Sequence, residues 1–509
     1  MDSGRGPAMA VFFEAPSGNP GGVLVSMGPS AQRLRMFASN PRDCRVTGVT
    51  LWFLPVATRV PLKFGTEALT SVTCARVRVT VTGRDGREAA GWGETPLSVQ
   101  WVWPSASAYA PRHEALKLFT QMLARAWSGM MDWGHPVELG HDFVRDWLPR
   151  LHEDFHASGL GGTGPKEDQR MPWLAALVAC SAFDIALHDA YGRLHGVPTY
   201  ETYRRPWMNR DLADFISPAT GAPADFRGRD ICEWLRPHRA EVLRAWHLVG
   251  GLDPVCPSEL TGGEPRDGHP VLLDDWIRKD GLKCLKVKLR GTDAEWDWRR
   301  LVSVDAVARA GGVEWLTADF NCTVRDPAYV TDILDRLLVD HPATHARLLY
   351  VEQPFPYELT EHPIDVRAVS ARKPLFLDES AHDWREVERG RALGWTGVAL
   401  KTCKTQTGAL LSACWARAHG MTLMVQDLTN PMLAQVTHAL LAAHVPTIMG
   451  VETNAMQFYP DASLPEARLH PGLYRRMEGC IRLDTVHGPG FGHRVEDVVR
   501  ELPRPVFMG

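Results

Sequence analysis

"LLYVEQP" (residues 348–354) is the stretch on which the fold turns. Four apolar residues, the length of a buried strand, stop at an acidic residue, Glu352, and a proline follows two places on. The same design recurs on both sides. "CLKVKL" (284–289) carries Lys288, "WLTADF" (315–320) carries Asp319 and "PLFLDES" (374–380) carries Asp378. "GVALKT" (397–402) carries Lys401, "MTLMVQD" (421–427) ends in Asp427 and "PTIMGVE" (446–452) ends in Glu452. Successive ionisable groups lie 31, 33, 26, 23, 26 and 25 residues apart. Helix-like stretches fill the gaps, among them "DPAYVTDILDRLLVDH" (326–341) and "GALLSACWARAHG" (408–420). Short strands alternating with helices predict βαβ units and a parallel sheet. Seven such units, each with an ionisable group at the strand's C-terminal end, predict a TIM-like (β/α) barrel with its chemistry on that face. An eighth strand, first in order, is expected near "DLADFI" (211–216). An open doubly wound sheet explains the alternation equally well, but not the row of ionisable strand ends.

Upstream the pattern differs. "RVTGVTLWFLPVATRV" (45–60) and "VTCARVRVTVTG" (72–83) are rich in β-branched residues, and "GRDGRE" (83–88) is a hairpin turn signal. Residues 111–200 read as mainly helical; "PWLAALVACSAFDIALHDAYGRLHG" (172–196) carries an apolar stripe and closes on a glycine. The first 200 residues therefore read as an α+β domain. Residues 217–270 are rich in Pro, Gly and Arg and read as an insertion with one helix near Ile231–Leu248.

With 509 residues, 45% of them apolar and 23% charged, the chain has the size of two or three domains and ordinary globular composition. A net charge of −4 gives no support to a nucleic-acid or membrane-surface partner. The ten cysteines are scattered without a CxxC pair, which predicts buried reduced thiols and not a disulfide frame. The first residues lack the basic start and long apolar core of a signal peptide and read as a loose or docked tail, so a cytoplasmic location is expected.

Of the 56 basic residues only ten are lysines, yet Lys283, Lys286 and Lys288 fall within six positions, and Lys401 and Lys404 within four. Arginine stays charged; lysine can lose its proton in suitable surroundings. Asp319, Glu352 and Asp378 end three consecutive strands, so they are neighbours on the barrel rim. Three carboxylates so placed repel one another unless a cation lies between them, and oxygen-only ligands select a hard ion: Mg²⁺, with Mn²⁺ as a substitute. The alternative is that each caps a helix or pairs with an arginine. Lys286 and Lys288 alternate on one strand and share a face. Facing the barrel interior, beside each other and a divalent cation, their pKa values are expected to fall, suiting them to general-base work; on the outer face they would lie along a helix. Lys401 ends a strand on the far side of the metal strands. An amine on each side of a metal suits removal of the proton next to a carboxylate, with the cation stabilising the enolate charge.

These motifs resemble the enolase superfamily, and within it the mandelate racemase and muconate-lactonizing enzymes. "KVK" (286–288) is similar to the Lys-x-Lys of the family's second barrel strand. "ADFN" (318–321), "VEQP" (351–354) and "LDES" (377–380) resemble its three metal-ligand strand ends, and "LKTCKTQTG" (400–408) the sixth-strand motif of the muconate-lactonizing, lysine–lysine subgroup. Asp427 stands where the mandelate racemase subgroup has a seventh-strand histidine. The resemblance implies Lys288 and Lys401 as the acid/base pair, Lys286 as their electrostatic partner, and Asp319, Glu352 and Asp378 as Mg²⁺ ligands. It also implies substrate-facing or supporting roles for Asn321, Glu379, Lys404, Asp427 and Glu452. The implied organisation is an N-terminal extension (1–45), an α+β capping domain (46–205), a barrel (206–455) and a C-terminal segment (456–509) that returns to the cap through "GPGFG" (488–492). Cap loops near Pro61–Thr66 and Ser98–Tyr109 would cover the barrel mouth. Trp101 and Trp103 then form an apolar lid, or else belong to the cap core. The implied activity is isomerase chemistry on a small-molecule carboxylate by a homo-oligomer: racemisation, epimerisation or cycloisomerisation. A lyase and an inactive binding barrel are the alternatives. "GVETN" (450–454) lacks the Asp-x-Asp of dipeptide epimerases, which counts against a simple dipeptide epimerase.

Overall fold

The computed structural model describes residues 9–13, 23–27, 40–64, 67–160 and 170–509. The reading of the N-terminus as a tail falls partly outside these residues, as do two residues of the first expected cap loop. Strands β1 (Met9–Phe13) and β2 (Val23–Met27) form an antiparallel pair.

The cap is built on an antiparallel sheet of β3 (Cys44–Phe64), β4 (Glu67–Gly83) and β5 (Glu88–Pro96). The turn between β4 and β5 uses Gly86 at φ 80°, as the glycines of "GRDGRE" foretell. The helix Trp173–His195 crosses this sheet and ends at Gly196, left-handed at φ 69°. It approaches β5 so closely that a Cβ at Gly93 would lie 2.1 Å from the Ala182 carbonyl oxygen, and one at Gly91 2.0 Å from the Ala190 nitrogen. Glycine at 91 and 93 is thus the condition for helix and sheet to pack. This helix is long and apolar enough to cross a membrane, but it is the buried core helix of the cap.

The barrel strands are β6 (Val242–Val249), β7 (Cys284–Lys288), β8 (Trp315–Asp319), β9 (Leu348–Glu352), β10 (Leu375–Leu377), β11 (Gly397–Leu400), β12 (Thr422–Val425) and β13 (Val451–Glu452). They run parallel in the order β12-β11-β10-β9-β8-β7-β6-β13. A bridge between Leu423 and Thr447, just ahead of β13, brings the two ends of the curled sheet together. Strand alternation sorts the side chains. Leu285 and Val287 join the core between strands and helices, whereas Cys284 joins Trp246, Tyr350, Phe376 and Met424 in an inner layer. Two residues further along come polar groups of the mouth, Lys286 after Cys284, Glu352 after Tyr350 and Asp378 after Phe376, whereas β6 has Leu248 after Trp246.

Three expectations are corrected. The first barrel strand is Val242–Val249, and Leu212–Asp214, in the stretch "DLADFI", is a 3₁₀ turn. No helix spans Ile231–Leu248; a 3₁₀ turn at Ile231–Trp234 is followed by the strand. The apolar spacing of "WLRPHRAEVLRAWHLV" fits either period, Pro237 interrupts a helix, and the open edges of β7 and β13 recruit the segment as a strand. Nor does the whole segment after residue 460 lie on the cap. β14 (Cys480–Arg482) pairs antiparallel with the start of β6, whose first residues the short β13 leaves unpaired. "GPGFG" does reach the cap helix, through Phe491 N–H to Asp189 (2.8 Å), and β15 (Phe507–Met508) extends the cap sheet beside β3.

Candidate active site

β7 and β11 stand four places apart in a ring of eight strands, on opposite sides, with β8, β9 and β10 between them. Lys286 and Lys288 both project into the mouth and both are buried. Lys288 Nζ donates to Asp319 at 2.5 Å. Lys286 Nζ lies 2.6 Å from Glu352, 3.0 Å from Asp319 and 3.1 Å from Glu452. On the other side, Lys401 Nζ lies 3.1 Å from an Asp378 oxygen and donates to the Asp427 carbonyl at 2.9 Å. Lys404 donates to the Asp378 carbonyl and lies 3.6 Å from its Oδ1. Strand pairing sets Asp319 directly beside Glu352. The structure therefore gathers all three expected metal carboxylates and all four expected lysines of the mouth. Lys283, the fifth lysine of the two clusters, faces outward and donates to the Gly312 carbonyl.

The remaining expected residues divide. Glu379 accepts from Trp101 Nε1 at 2.9 Å and from Asn321 Nδ2 at 3.2 Å. The Trp101 ring covers Lys401 at 5.1 Å and Lys404 at 5.7 Å, so this cap residue faces the mouth. Trp103 does not: it is fully buried in the cap core, and its carbonyl accepts from Arg112. Asp427 acts within the framework, accepting the N–H groups of Thr429 (3.0 Å) and Asn454 (2.8 Å).

Two residues of the mouth escaped sequence reading. Gln426 lies two places beyond Met424 on the same inner face and donates to Glu352 (2.5 Å) and to Tyr350 OH (3.0 Å). Its signal was the period of two; the eye goes to Asp427, but the inward position is Gln426. Asn454 joins Glu452 (2.6 Å) to Asp427 (3.2 Å). The loops that present these groups are strained. Asn321, Cys322, Gln353, Thr405 and Thr429 all have positive φ without being glycine, and all lie just past strand ends of the mouth.

Beneath the Lys401–Lys404 loop, Asp184 of the cap helix accepts from Thr407 N (2.9 Å) and Thr407 Oγ1 (2.8 Å). His188 Nε2 lies 2.9 Å from the same hydroxyl. Burial raises the Asp184 carboxyl to about 6, against the pull of these bonds, and lowers His188 to about 3.

Lys286 departs from the expected fall in pKa. Burial disfavours the Lys286 ammonium, but Asp319, Glu352, Glu452 and Asp378 outweigh it and hold its pKa well above the usual lysine value. Lys401 is likewise raised, burial being overcome by Asp378. Lys404 goes down, burial prevailing over Asp378. The physical reason is that these ammonium groups face carboxylates at contact distance, a stronger influence than one lysine on another. Burial also raises Glu352 and Glu379, with neighbouring carboxylates adding to the shift.

Among the described residues no three His, Cys, Asp or Glu side chains converge on one point as a ready-made metal cluster, because lysine ammonium groups stand between the carboxylates. The chemistry of the donor set nevertheless fits a hard divalent cation. Six buried carboxylates (Asp319, Glu352, Asp378, Glu379, Asp427, Glu452) face four buried lysines (Lys286, Lys288, Lys401, Lys404), leaving two formal negative charges. Asp378 Oδ1 and Glu379 Oε2 are buried oxygens that accept no hydrogen bond. Hard oxygen donors in excess of the cations that neutralise them are what a divalent ion of the Mg²⁺ type requires.

Residues 271–499 match the family model described as enolase C-terminal domain-like. That match covers the barrel half of the chain, which is thus similar to the enolase superfamily, and the fold is that of solved structures of racemases and epimerases. A curated relative, the aromatic dipeptide epimerase of Herpetosiphon aurantiacus, is 24% identical over 259 residues, covering 49% of this chain and 68% of the relative. The N-succinyl Arg/Lys racemase of Bacillus cereus superposes with a TM-score of 0.58 at 18% identity, covering 91% of this chain and 99% of that one. A dipeptide epimerase of Enterococcus faecalis, complexed with Mg and the dipeptide L-Leu-L-Tyr, superposes with a TM-score of 0.55 at 15% identity, covering 88% and 99%.

Proposed function

We propose that this chain is a divalent-cation-dependent racemase or epimerase that exchanges the α-proton of a small carboxylate between two lysines. One observation carries the reading: Lys288 and Lys401 enter the mouth from opposite strands of the ring, with the three carboxylate strands between them. Asp319, Glu352 and Asp378 would hold the cation, which when bound supplies positive charge to the substrate carboxylate and so favours the enolate. Lys288, neutral in one half-reaction, takes the α-proton from one face; Lys401, protonated, returns a proton to the other. Lys286, held among Glu352, Asp319 and Glu452, stays charged and adds to the field that stabilises the enolate. Trp101 closes the Lys401 side against water.

The reading is tested by incubating a panel of carboxylic acids, N-acylamino acids and dipeptides included, with protein and Mg²⁺ in D₂O. A racemase or epimerase exchanges the α-proton of both stereoisomers of a substrate. Exchange on one isomer only, with a new cyclic or dehydrated product, identifies a cycloisomerase or a lyase. No exchange on any acid, with Mg²⁺ bound, sinks the proposal in favour of a binding role.

A further inference from the structure

The cap holds a cluster that the barrel chemistry does not use. His152 and His156 stand one turn apart on the helix Leu148–Ala157. Their Nε2 atoms are 3.1 Å apart, and they lie 2.8 Å and 3.2 Å from the Met171 carbonyl oxygen. Phe119 and Trp173 meet the His152 ring edge-on and fix its plane. We propose that these two imidazoles and the Met171 carbonyl bind one borderline divalent transition cation, of the zinc, copper(II) or nickel class, in the cap and apart from the barrel mouth.

Hydrogen bonds between these three atoms account for at most two sides of the triangle. A neutral imidazole carries one N–H. If both Nε2 atoms are protonated they donate to the two lone pairs of the Met171 carbonyl, and no bond joins the two nitrogens 3.1 Å apart. If one is unprotonated, its lone pair faces the carbonyl lone pairs. In either case one of the three short contacts is not a hydrogen bond. A cation engages all three atoms at once, since both nitrogens and the oxygen can then point lone pairs at a common centre. The dimensions agree: atoms at these separations lie about 1.8 Å from the centre of their triangle, so a cation at the ~2.1 Å typical of nitrogen ligands sits about 1 Å out of its plane. Imidazole nitrogen selects the borderline transition ions over Mg²⁺. Burial holds His152 down at about 4, so the ring is neutral and able to ligate at physiological pH. Bound there, the ion clasps the end of one cap helix to the residue that leads into the core helix Trp173–His195.

The test uses the full chain, stripped of metal, returned to excess Mg²⁺ and titrated with Zn²⁺ against a chromophoric chelator. The expected result is one Zn²⁺ site that His152→Ala or His156→Ala weakens by at least about tenfold, in line with what loss of a metal's supporting groups alone produces, and that Asp319→Asn leaves intact. Electron paramagnetic resonance of a Cu²⁺-loaded sample should show two imidazole nitrogens in the wild type and one in each single variant. If an alanine variant unfolds, His156→Asn serves instead, keeping a polar group beside Met171 without the imidazole ligand. Zn²⁺ binding that survives these substitutions, or that disappears in Asp319→Asn, overturns the assignment. Neither outcome depends on finding a substrate.

Discussion

Asp184→Asn isolates the joint between the cap and the lysine loop. The carboxyl is fully buried, and its pKa rises from 3.8 to about 6 on folding. A folded-state pKa above the unfolded one means that the group's contribution is fully present below about pH 4 and is lost as pH rises through about 6. The two-unit shift corresponds to about 3 kcal/mol at pH 7.5, at roughly 1.4 kcal/mol per unit. His188 works in the same window with the opposite sign, since its pKa falls to about 3 and its stabilisation grows with pH up to the unfolded value. The quantity to read is therefore the difference between variant and wild type, in which the His188 contribution is common. Asparagine keeps an acceptor for Thr407 N, and its amide can donate to Thr407 Oγ1. We expect Asp184→Asn to be no more stable than wild type at pH 4 and to gain on it between pH 4 and 6.5, by up to about 3 kcal/mol at pH 7.5. Urea unfolding followed by circular dichroism at fixed Mg²⁺ across pH 4–8 measures this. A difference that stays flat with pH, or that grows in the opposite direction, refutes the assignment of a buried ionised carboxylate at this joint.

Lys288→Arg and Lys401→Arg keep the charge but remove the titrating amine; each should slow turnover of one stereoisomer by about 10²–10⁴-fold while the other isomer still exchanges its α-proton, as proton NMR in D₂O will show. Chelation should abolish exchange and Mg²⁺ or Mn²⁺ restore it, whereas Asp319→Asn should bind Mg²⁺ weakly in calorimetry. Gly93→Ala drives a methyl group to 2.1 Å from the Ala182 carbonyl oxygen, so helix and sheet must separate; a loss of at least about 3 kcal/mol, read as a lowered melting temperature, is expected. Trp101→Phe retains a ring over Lys401 but removes the hydrogen bond to Glu379; about a tenfold fall in kcat/KM with a nearly unchanged melting temperature is expected, and an unchanged kcat/KM would remove Trp101 from the mouth's machinery.

The barrel and its rim were legible because local pattern and global fold agree there. Each short apolar run is a strand, each ends at the mouth, and a period of two sends Lys286, Lys288 and Glu352 inward whatever the rest of the chain does. Asp427 and Gln426 mark the limit of that logic: an acidic strand end attracts notice, but a shift of one residue exchanges inside for outside.

The first barrel strand was not legible, because "VLRAWHLV" satisfies both helical and strand periods and only the neighbouring strands choose between them. The state of the lysines was hidden for a related reason. The sequence by itself determined which groups reach the mouth; their protonation depends on Coulomb interactions that change steeply with distance in a buried, poorly screened site. Only the tertiary structure sets Lys286 between Glu352, Asp319 and Glu452, Trp101 over Lys401, and two histidines of a cap helix against the carbonyl of Met171. Periodicity along a chain decides which face a residue takes; separations of a few ångströms between residues far apart in the chain are decided by how the elements pack.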